Sequence, residues 1–322
     1  ERVSGGWRWV GGEPMSVRLF LAPAAGGKTA HAVALIRALR STDPFAPVQV
    51  VVPNFSQMTA FRRRLAQAGG GLGVEVGTFY RLYADVLACA GTPAPRLFDP
   101  VQHRLLRAIV DRSCEEGRLR HYAPLRDKPG FVRALRTLIQ ELKRARVHRD
   151  DFTAALADQP PRLTELATIY AAYQDWLVTS GWTDAEGQGW LAAQALERDP
   201  PLYADLALLV VDGFDEFNPT QLYLLGMLAG RAAATLVTLI GDPEKPDRLA
   251  HRRLARARAV LESTLDAEPI SLPWERQSDP LVHLEAGLFE PGITPLAADG
   301  AVTFVEAQNR ASEAREALRW LK

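Results

Sequence analysis

The stretch of chain that most constrains the fold is residues 17–29, which read VRLFLAPAAGGKT. Its first five residues predict a buried strand, and the spacing of apolar residues after Thr29 predicts a helix. A loop of small residues between a strand and a helix can wrap a phosphate, because backbone N–H groups and the helix dipole both favour negative charge there. The segment therefore indicates a nucleotide site in an α/β fold.

The candidate nucleotide-binding residues belong to this loop and to the start of the helix: Ala24, Ala25, Gly26, Gly27, Lys28 and Thr29. In such a pattern the lysine reaches the β- and γ-phosphates and the threonine hydroxyl holds Mg²⁺. Ala22 stands where the strict pattern has glycine. The alternative is a plain glycine-rich turn, but Lys28 is the only lysine before Lys128 although Lys and Arg together number 38. A phosphate favours such a compact ammonium, so we predict ATP and Mg²⁺ as ligands.

A second motif is Asp212, which directly follows the apolar run Leu208–Val211. A carboxylate at the carboxyl end of a buried strand, beside the strand of a phosphate loop, is placed to hold Mg²⁺. The alternative is that Asp212, Asp215 and Glu216 are acids favoured at the start of the helix predicted from Pro219. We favour the metal role for Asp212, together with Thr29.

Strand-like runs alternate with helical runs on either side of a long helical region. The predicted strands are residues 17–21, 48–52, 74–76, 207–211 and 235–240. This alternation predicts a parallel sheet with helices on both faces. Apolar residues at helical spacing between Pro100 and Leu196 predict a large all-helical insertion. A further strand is predicted at Ala301–Glu306, followed by a helix to Lys322.

Composition limits the other classes of function. Lys and Arg number 38, as do Asp and Glu, so a polyanion site requires local segregation of charge. Two cysteines provide neither a disulfide framework nor a cysteine metal cluster and fit a reducing compartment. No apolar run approaches the ~18 residues of a membrane helix. We expect a cytoplasmic protein with no membrane partner.

The string LVVDGFDEFNPTQL, from Leu209 to Leu222, resembles the D-G-F-x-E-F-x-P-x-Q-L pattern of the AddB/RexB subunits of bacterial helicase–nucleases. Residues 22–29 are similar to the small-residue phosphate loop of superfamily 1 helicases, and residues 77–82 resemble their T-F-H motif, which contacts DNA. Asn309 and Arg310, with Glu313, resemble the start of a second motor domain.

The resemblance implies the N-terminal helicase-like region of an AddB-type subunit that acts in double-strand break repair. Its ligands would be ATP with Mg²⁺ and single-stranded DNA, and its partner an AddA-type helicase subunit. The implied domains are an extension over residues 1–14, a P-loop (RecA-like) domain in two segments, 15–90 and 200–265, a helical insertion over 91–199, and a connector with the start of a second RecA-like domain over 266–322. The sequence itself leads to two further expectations: Met15 is the natural start, because the residues before it are rich in Gly and Trp, and the chain is a fragment, because the strand and helix predicted at its end have nothing to pair with.

Two departures from the superfamily 1 pattern bear on catalysis. Gly213 follows Asp212 where motors carry a glutamate that polarises the attacking water, so Glu216 is the candidate catalytic residue. The segment Gly241–Lys245 lacks the glutamine of motor motif III. We therefore expect a weak ATPase at most.

The loops after the second and third strands are the candidate contacts with single-stranded DNA: Asn54, Phe55, Thr78, Phe79, Tyr80 and Arg81. Aromatic rings stack on bases, while Thr and Asn donate to phosphates. It stays open whether the rings are instead core packing at strand ends. Two basic runs, residues 143–149 and 248–258, are either a track for the DNA backbone or solvated helix faces.

Two other functions remain open on sequence alone. One is a non-enzymatic DNA-binding scaffold with a vestigial nucleotide site. The other is a small-molecule kinase whose lid is the helical insertion, although the strings at 77–82 and 209–222 argue against it.

Overall fold

The computed structural model describes residues 17–242, 248–271, 279–298 and 300–320. The strands are β1 (Val17–Ala22), β2 (Val48–Val51), β3 (Val74–Gly77), β4 (Leu208–Val211), β5 (Thr235–Ile240) and β6 (Glu268–Ser271). They form one sheet in the order β3-β2-β4-β5-β1-β6, and every pair in it is parallel. The predicted α/β fold with a parallel sheet is confirmed.

The helices fall into three groups along the chain. Before β4 they are α1 (Lys28–Thr42), α2 (Phe55–Gln67), α3 (Phe79–Cys89), α4 (Asp99–Glu115), α5 (Pro129–Arg144), α6 (Arg149–Ala155), α7 (Pro161–Ser180) and α8 (Ala185–Arg198). Between β4 and β6 they are α9 (Pro219–Ala229) and α10 (Arg252–Leu265). After β6 they are α11 (Asp279–Gly287) and α12 (Arg310–Trp320). In the described ranges no helix is long and apolar enough to cross a membrane.

The sheet is covered on both faces, and the side chains of β1 show how. Leu19 and Leu21 belong to an apolar layer shared with α3, α8, α9 and α10. Phe20 and Ala22 alternate with them and belong to a second layer, shared with α1 and α2. All four residues of β4 are buried, as expected for a central parallel strand with helices on both sides.

The helical insertion has apolar clusters of its own. Residues of α4, α5 and α7, among them Leu106, Ile139 and Tyr173, pack together away from the sheet. Ala192 and Leu196 of α8 instead join the layer over the sheet. The large helical insertion is thus confirmed, while the domain boundaries stay a prediction.

Two parts of the predicted sheet are corrected. Residues 301–306 are irregular, and no described segment pairs with them; a strand without a partner leaves its backbone N–H and C=O groups unpaired. The sixth strand is instead Glu268–Ser271, which pairs with β1. Pro269 is tolerated there because β6 is an edge strand.

The relation between the two candidate motifs is also corrected. Asp212 does not lie beside the strand of the candidate loop, because β5 separates β4 from β1. Two further predictions lie outside the described residues: the extension over residues 1–14 and most of the motif III segment, of which residues 243–245 are not described.

Candidate functional site

The loop between β1 and α1 turns tightly at its small residues. The Gly26 N–H donates to Pro23 O at 3.0 Å. Ala25 and Gly27 have φ values of 61° and 76°, in the left-handed region that favours glycine. A Cβ on Gly26 would lie 3.0 Å from Ala22 Cβ, so this position also requires a small residue. The backbone of the loop is therefore set by local steric limits.

Lys28 folds back over this loop. Its Nζ donates to Ala22 O at 2.9 Å and to Pro23 O at 2.6 Å. Burial lowers the pKa of Lys28 to about 8, although the carboxylates of Asp212 and Glu285 act to raise it. The ammonium is thus held at the loop with acidic groups nearby.

Asp212 connects the start of α1 to β5. Its Oδ2 accepts a hydrogen bond from Thr29 Oγ1 at 2.8 Å, and its Oδ1 accepts one from Thr238 Oγ1 at 2.5 Å. Val211 pairs with Val237, so Thr238 lies level with Asp212 on the neighbouring strand. Asp212 is only 6% exposed. Sequence reasoning missed Thr238, because the two threonines of β5 look alike in the sequence and only the strand register places one of them beside Asp212.

The oxygen atoms brought together here fit Mg²⁺. This ion prefers oxygen ligands, and it is commonly held by one or two carboxylates together with phosphate oxygens and water. Thr29 and Asp212 provide a hydroxyl and a carboxylate. Among the described residues no group of three His, Cys, Asp or Glu side chains could hold a metal without such additional ligands.

The candidate catalytic residue points elsewhere. Glu216 is 77% exposed, and its Oε2 lies 3.6 Å from Nη2 of Arg253 on α10. Asp215 contacts the same guanidinium at 3.3 Å. Gly213 has a φ of +83°, and a Cβ there would lie 2.6 Å from Gln57 Oε1. The structure therefore brings Thr29 and Asp212 together and directs Glu216 towards α10.

The predicted DNA contacts after β2 start helix α2. Asn54 is its N-cap, and the side-chain oxygen accepts a hydrogen bond from the Gln57 N–H at 3.0 Å. Phe55 follows with 72% of its surface exposed. An exposed ring at the carboxyl edge of the sheet is available to stack on a base.

The predicted DNA contacts after β3 differ among themselves. Phe79 is 3% exposed and packs edge-to-face on Phe214 at 5.3 Å, so its ring belongs to the core. Tyr80 is partly exposed, and its hydroxyl donates a hydrogen bond to Glu186 Oε1 at 2.9 Å.

The two polar residues predicted as DNA contacts after β3 lie at the start of α3. Thr78 is the N-cap of α3, but its side chain forms no hydrogen bond with the backbone of the helix. Arg81 forms an ion pair with Asp85 at 2.8 Å.

The two basic runs are partly neutralised by acids. Lys143 is buried and pairs with Asp184 at 2.7 Å, while the neighbouring Arg144 pairs with Glu186 at 2.9 Å. On α10, Arg252, Arg253 and Arg256 line a groove of about 790 Å³ that also contains Asp215 and Glu216.

Comparison with known proteins gives one consistent result. Residues 19–260 match the protein family described as ADDB, N-terminal. The chain is 28% identical over 300 residues to the ATP-dependent helicase/deoxyribonuclease B subunit of Acetivibrio thermocellus, an alignment that covers 85% of this chain and 26% of that protein. The protein of the same name from Moorella thermoacetica is 29% identical over 339 residues, with 95% of this chain and 29% of the relative covered. The chain thus spans little more than a quarter of the length of these relatives.

Proposed function

The chain belongs to the AddB family, whose N-terminal region it matches over residues 19–260, and on this premise we propose that it binds ATP with Mg²⁺ at the loop of residues 22–29. We propose further that it binds single-stranded DNA at the carboxyl edge of its sheet. Within a helicase–nuclease, the partner of an AddB-type chain is an AddA-type helicase subunit, and the process is the repair of double-strand breaks.

The observation that carries the nucleotide proposal is the hydrogen bond between Thr29 Oγ1 and Asp212 Oδ2 at 2.8 Å. It joins the first turn of the helix after the loop to the carboxyl end of β4, where the two oxygens can share one cation. The backbone N–H groups in the first turn of a helix that follows such a loop are suited to bind phosphate oxygens. Thr29 and Asp212 would hold the Mg²⁺, which would neutralise charge on the phosphates, and Lys28 would exchange its two loop carbonyls for phosphate oxygens.

Calorimetric titration with MgATP tests this site. Lys28→Ala removes the ammonium and should weaken binding by ~10-fold or more, the effect of losing hydrogen bonds to a charged group. Lys128→Ala is the matched control, because Lys128 is an exposed lysine that precedes α5. The site assignment is wrong if both variants bind MgATP as the wild type does. The family would then keep this fold as a DNA-binding scaffold with a vestigial nucleotide site.

The DNA proposal rests on the exposed Phe55 and the partly exposed Tyr80, which lie in the first turns of α2 and α3. β2 and β3 are adjacent and parallel, so the loops after them lie at the same edge of the sheet. Binding of oligo-dT should weaken as salt rises, because neutralised phosphates release counterions. Affinity independent of salt, or a preference for duplex without a single strand, would argue against this surface.

A further inference from the structure

A buried arginine lies near the candidate nucleotide site and is held by acids. Arg248 is 4% exposed. Its Nη1 donates to Glu285 Oε1 at 2.9 Å, and its Nη2 donates to the backbone oxygen of the same residue. Weaker ion pairs, both at 3.9 Å, join it to Asp242 and Glu290. Its Nε, among the described residues, has no hydrogen-bond partner.

This arginine is connected to the candidate loop through the end of β5. Ala22 O accepts hydrogen bonds from Lys28 Nζ at 2.9 Å and from the Gly241 N–H at 3.1 Å. The next residue is Asp242, which forms the ion pair with Arg248. Glu285 also acts electrostatically on Lys28 and opposes the fall of its pKa. One carboxylate of α11 thus interacts with both cations.

The chemistry of these groups matches that of a phosphate chain. A buried guanidinium requires a paired anion, because an unpaired charge in the interior is costly. Its planar donors suit the oxygens of carboxylate and phosphate equally. Glu285 comes from a separate helix and keeps 19% of its side chain exposed, and its Oε1 also lies 3.5 Å from His251 Nε2. Its pairing with Arg248 therefore depends on how α11 packs against the residues before α10.

We propose that Arg248 is a second phosphate-binding cation of this site and that Glu285 of α11 occupies it while nucleotide is absent. The phosphates of the nucleotide and the docked α11 then compete for one guanidinium. The inference rests on the proposed nucleotide site and adds its regulation. Docked α11 lowers the apparent affinity for nucleotide, because only the molecules in which α11 is undocked have Arg248 available to the phosphates. Nucleotide binding in turn releases α11.

Titration calorimetry on the full chain tests the competition, with MgATP and with inorganic tripolyphosphate as probes. Glu285→Gln should tighten binding of both by ~10-fold, since it weakens the competing contact. Arg248→Gln should weaken binding of both by ~10-fold, as expected for losing charged hydrogen bonds. Glu262→Gln is the matched control, because Glu262 pairs with Arg258 on α10 at 2.7 Å, and it should leave the affinity unchanged.

The double variant identifies the route by which Glu285 acts. If it acts by occupying Arg248, the gain from Glu285→Gln disappears in the Arg248→Gln background. A gain that persists there overturns the proposal, since Glu285 would then act on Lys28 alone. The absence of any gain from Glu285→Gln also overturns it. This result is independent of Arg248→Gln, and a gain in affinity does not arise from misfolding.

The Lys28→Ala variant separates this inference from the proposed function. If Lys28→Ala binds MgATP as tightly as the wild type, the nucleotide site itself is wrong. If Lys28→Ala weakens binding while Glu285→Gln and Arg248→Gln do not change it, the site stands and the competition fails.

Discussion

The hydroxyl of Thr29 donates a hydrogen bond to the carboxylate of Asp212 at 2.8 Å, although 183 residues separate them in the chain. Thr29 lies in the first turn of α1, which follows β1, whereas Asp212 directly follows β4, and β5 lies between these two strands. Thr238 of β5 donates to the other oxygen of the same carboxylate. The carboxylate is therefore fixed from two directions, and its orientation depends on both threonines.

Thr238→Val should destabilise the protein by about 1–3 kcal/mol, because it leaves a buried carboxylate oxygen without its donor. The free energy of unfolding in urea measures this. Thr235→Val is the matched control on the same strand, since the buried Thr235 hydroxyl has no hydrogen-bond partner among the described residues. That variant should be as stable as the wild type or more so. Equal losses in the two variants would contradict the role given to Thr238.

The fold could be predicted where the local pattern of apolar residues shows which residues are buried. The unbroken apolar run Leu208–Val211 predicts a central strand, and β4 is buried along its whole length. β6 was missed because Glu268 and Pro269 interrupt its apolar pattern. The error at 301–306 has the converse cause: its β-branched and aromatic residues are compatible with a strand, but pairing depends on a neighbour that a local pattern does not provide.

The same limit applies to the candidate site. Thr29 and Asp212 could be found because each stands in a motif of local spacing. Thr238 and Arg248 could not, since their roles follow from strand register and from packing against α11. The burial of Phe79 could be predicted from the sequence, because its spacing to Leu82, Tyr83 and Val86 is that of an apolar helix face. All four residues are buried.

A second prediction concerns pH and the helical insertion. Glu165 accepts hydrogen bonds from the N–H groups of Arg120, His121 and Tyr122 at 2.8, 2.7 and 3.0 Å. Burial acts to raise the pKa of Glu165, but these three donors outweigh it and lower the pKa. The stabilisation is therefore present above the pKa of an unfolded glutamate, about 4.3, and is lost as pH falls through the lower value of the folded state.

Unfolding in urea at pH 7 and at pH 3 measures this effect. At pH 7, Glu165→Gln should be less stable than the wild type by about 2 kcal/mol, and the difference should shrink towards pH 3. Glu116→Gln removes the same charge from an exposed ion pair with Arg118, so it should change stability by less than about 0.5 kcal/mol. A difference for Glu165→Gln that grows on acidification would contradict the assignment.

Phe55 and Phe45 provide a matched test of the DNA surface. Both rings are exposed, at 72% and 90%, but Phe55 follows β2 while Phe45 precedes it, at the opposite edge of the sheet. Phe55→Ala should weaken binding of oligo-dT by about 1–3 kcal/mol, the range for one stacked base. Phe45→Ala should not change it. Fluorescence anisotropy measures both, and equal effects would mean that the carboxyl edge is not the binding surface.

Substitution of Gly213 should destabilise the protein for two reasons. Its φ of +83° disfavours any residue with a side chain, and a Cβ there would collide with Gln57. We expect Gly213→Ala to destabilise the protein by about 1–3 kcal/mol. Gln57→Ala should recover part of this loss in the double variant, since it removes the contact but not the backbone strain. Gly226→Ala in α9 is the control: its Cβ would lie 3.5 Å from Leu265, an ordinary contact, so stability should not fall. Gly213→Glu is consequently a poor route to restoring a catalytic base.

The last prediction is that ATP turnover is slow and independent of Glu216. The Glu216 carboxylate is exposed and lies 3.6 Å from Arg253, and Gly213 carries no side chain. A positioned general base contributes ~10²–10⁴-fold, and enzymes turn over ~10 times per second at the median. We therefore expect fewer than ~0.1 turnovers per second, with or without oligo-dT, and the same rate for Glu216→Gln.

Steady-state hydrolysis of ATP measures this rate, and Lys28→Ala serves as its control. Any hydrolysis that belongs to the site should disappear in Lys28→Ala, whereas hydrolysis by a contaminant should remain. Tens of turnovers per second that are lost in Glu216→Gln would contradict the prediction. Glu216 would then have to leave Arg253 and reach the attacking water when nucleotide binds, so that the base of this site is formed only in the bound state.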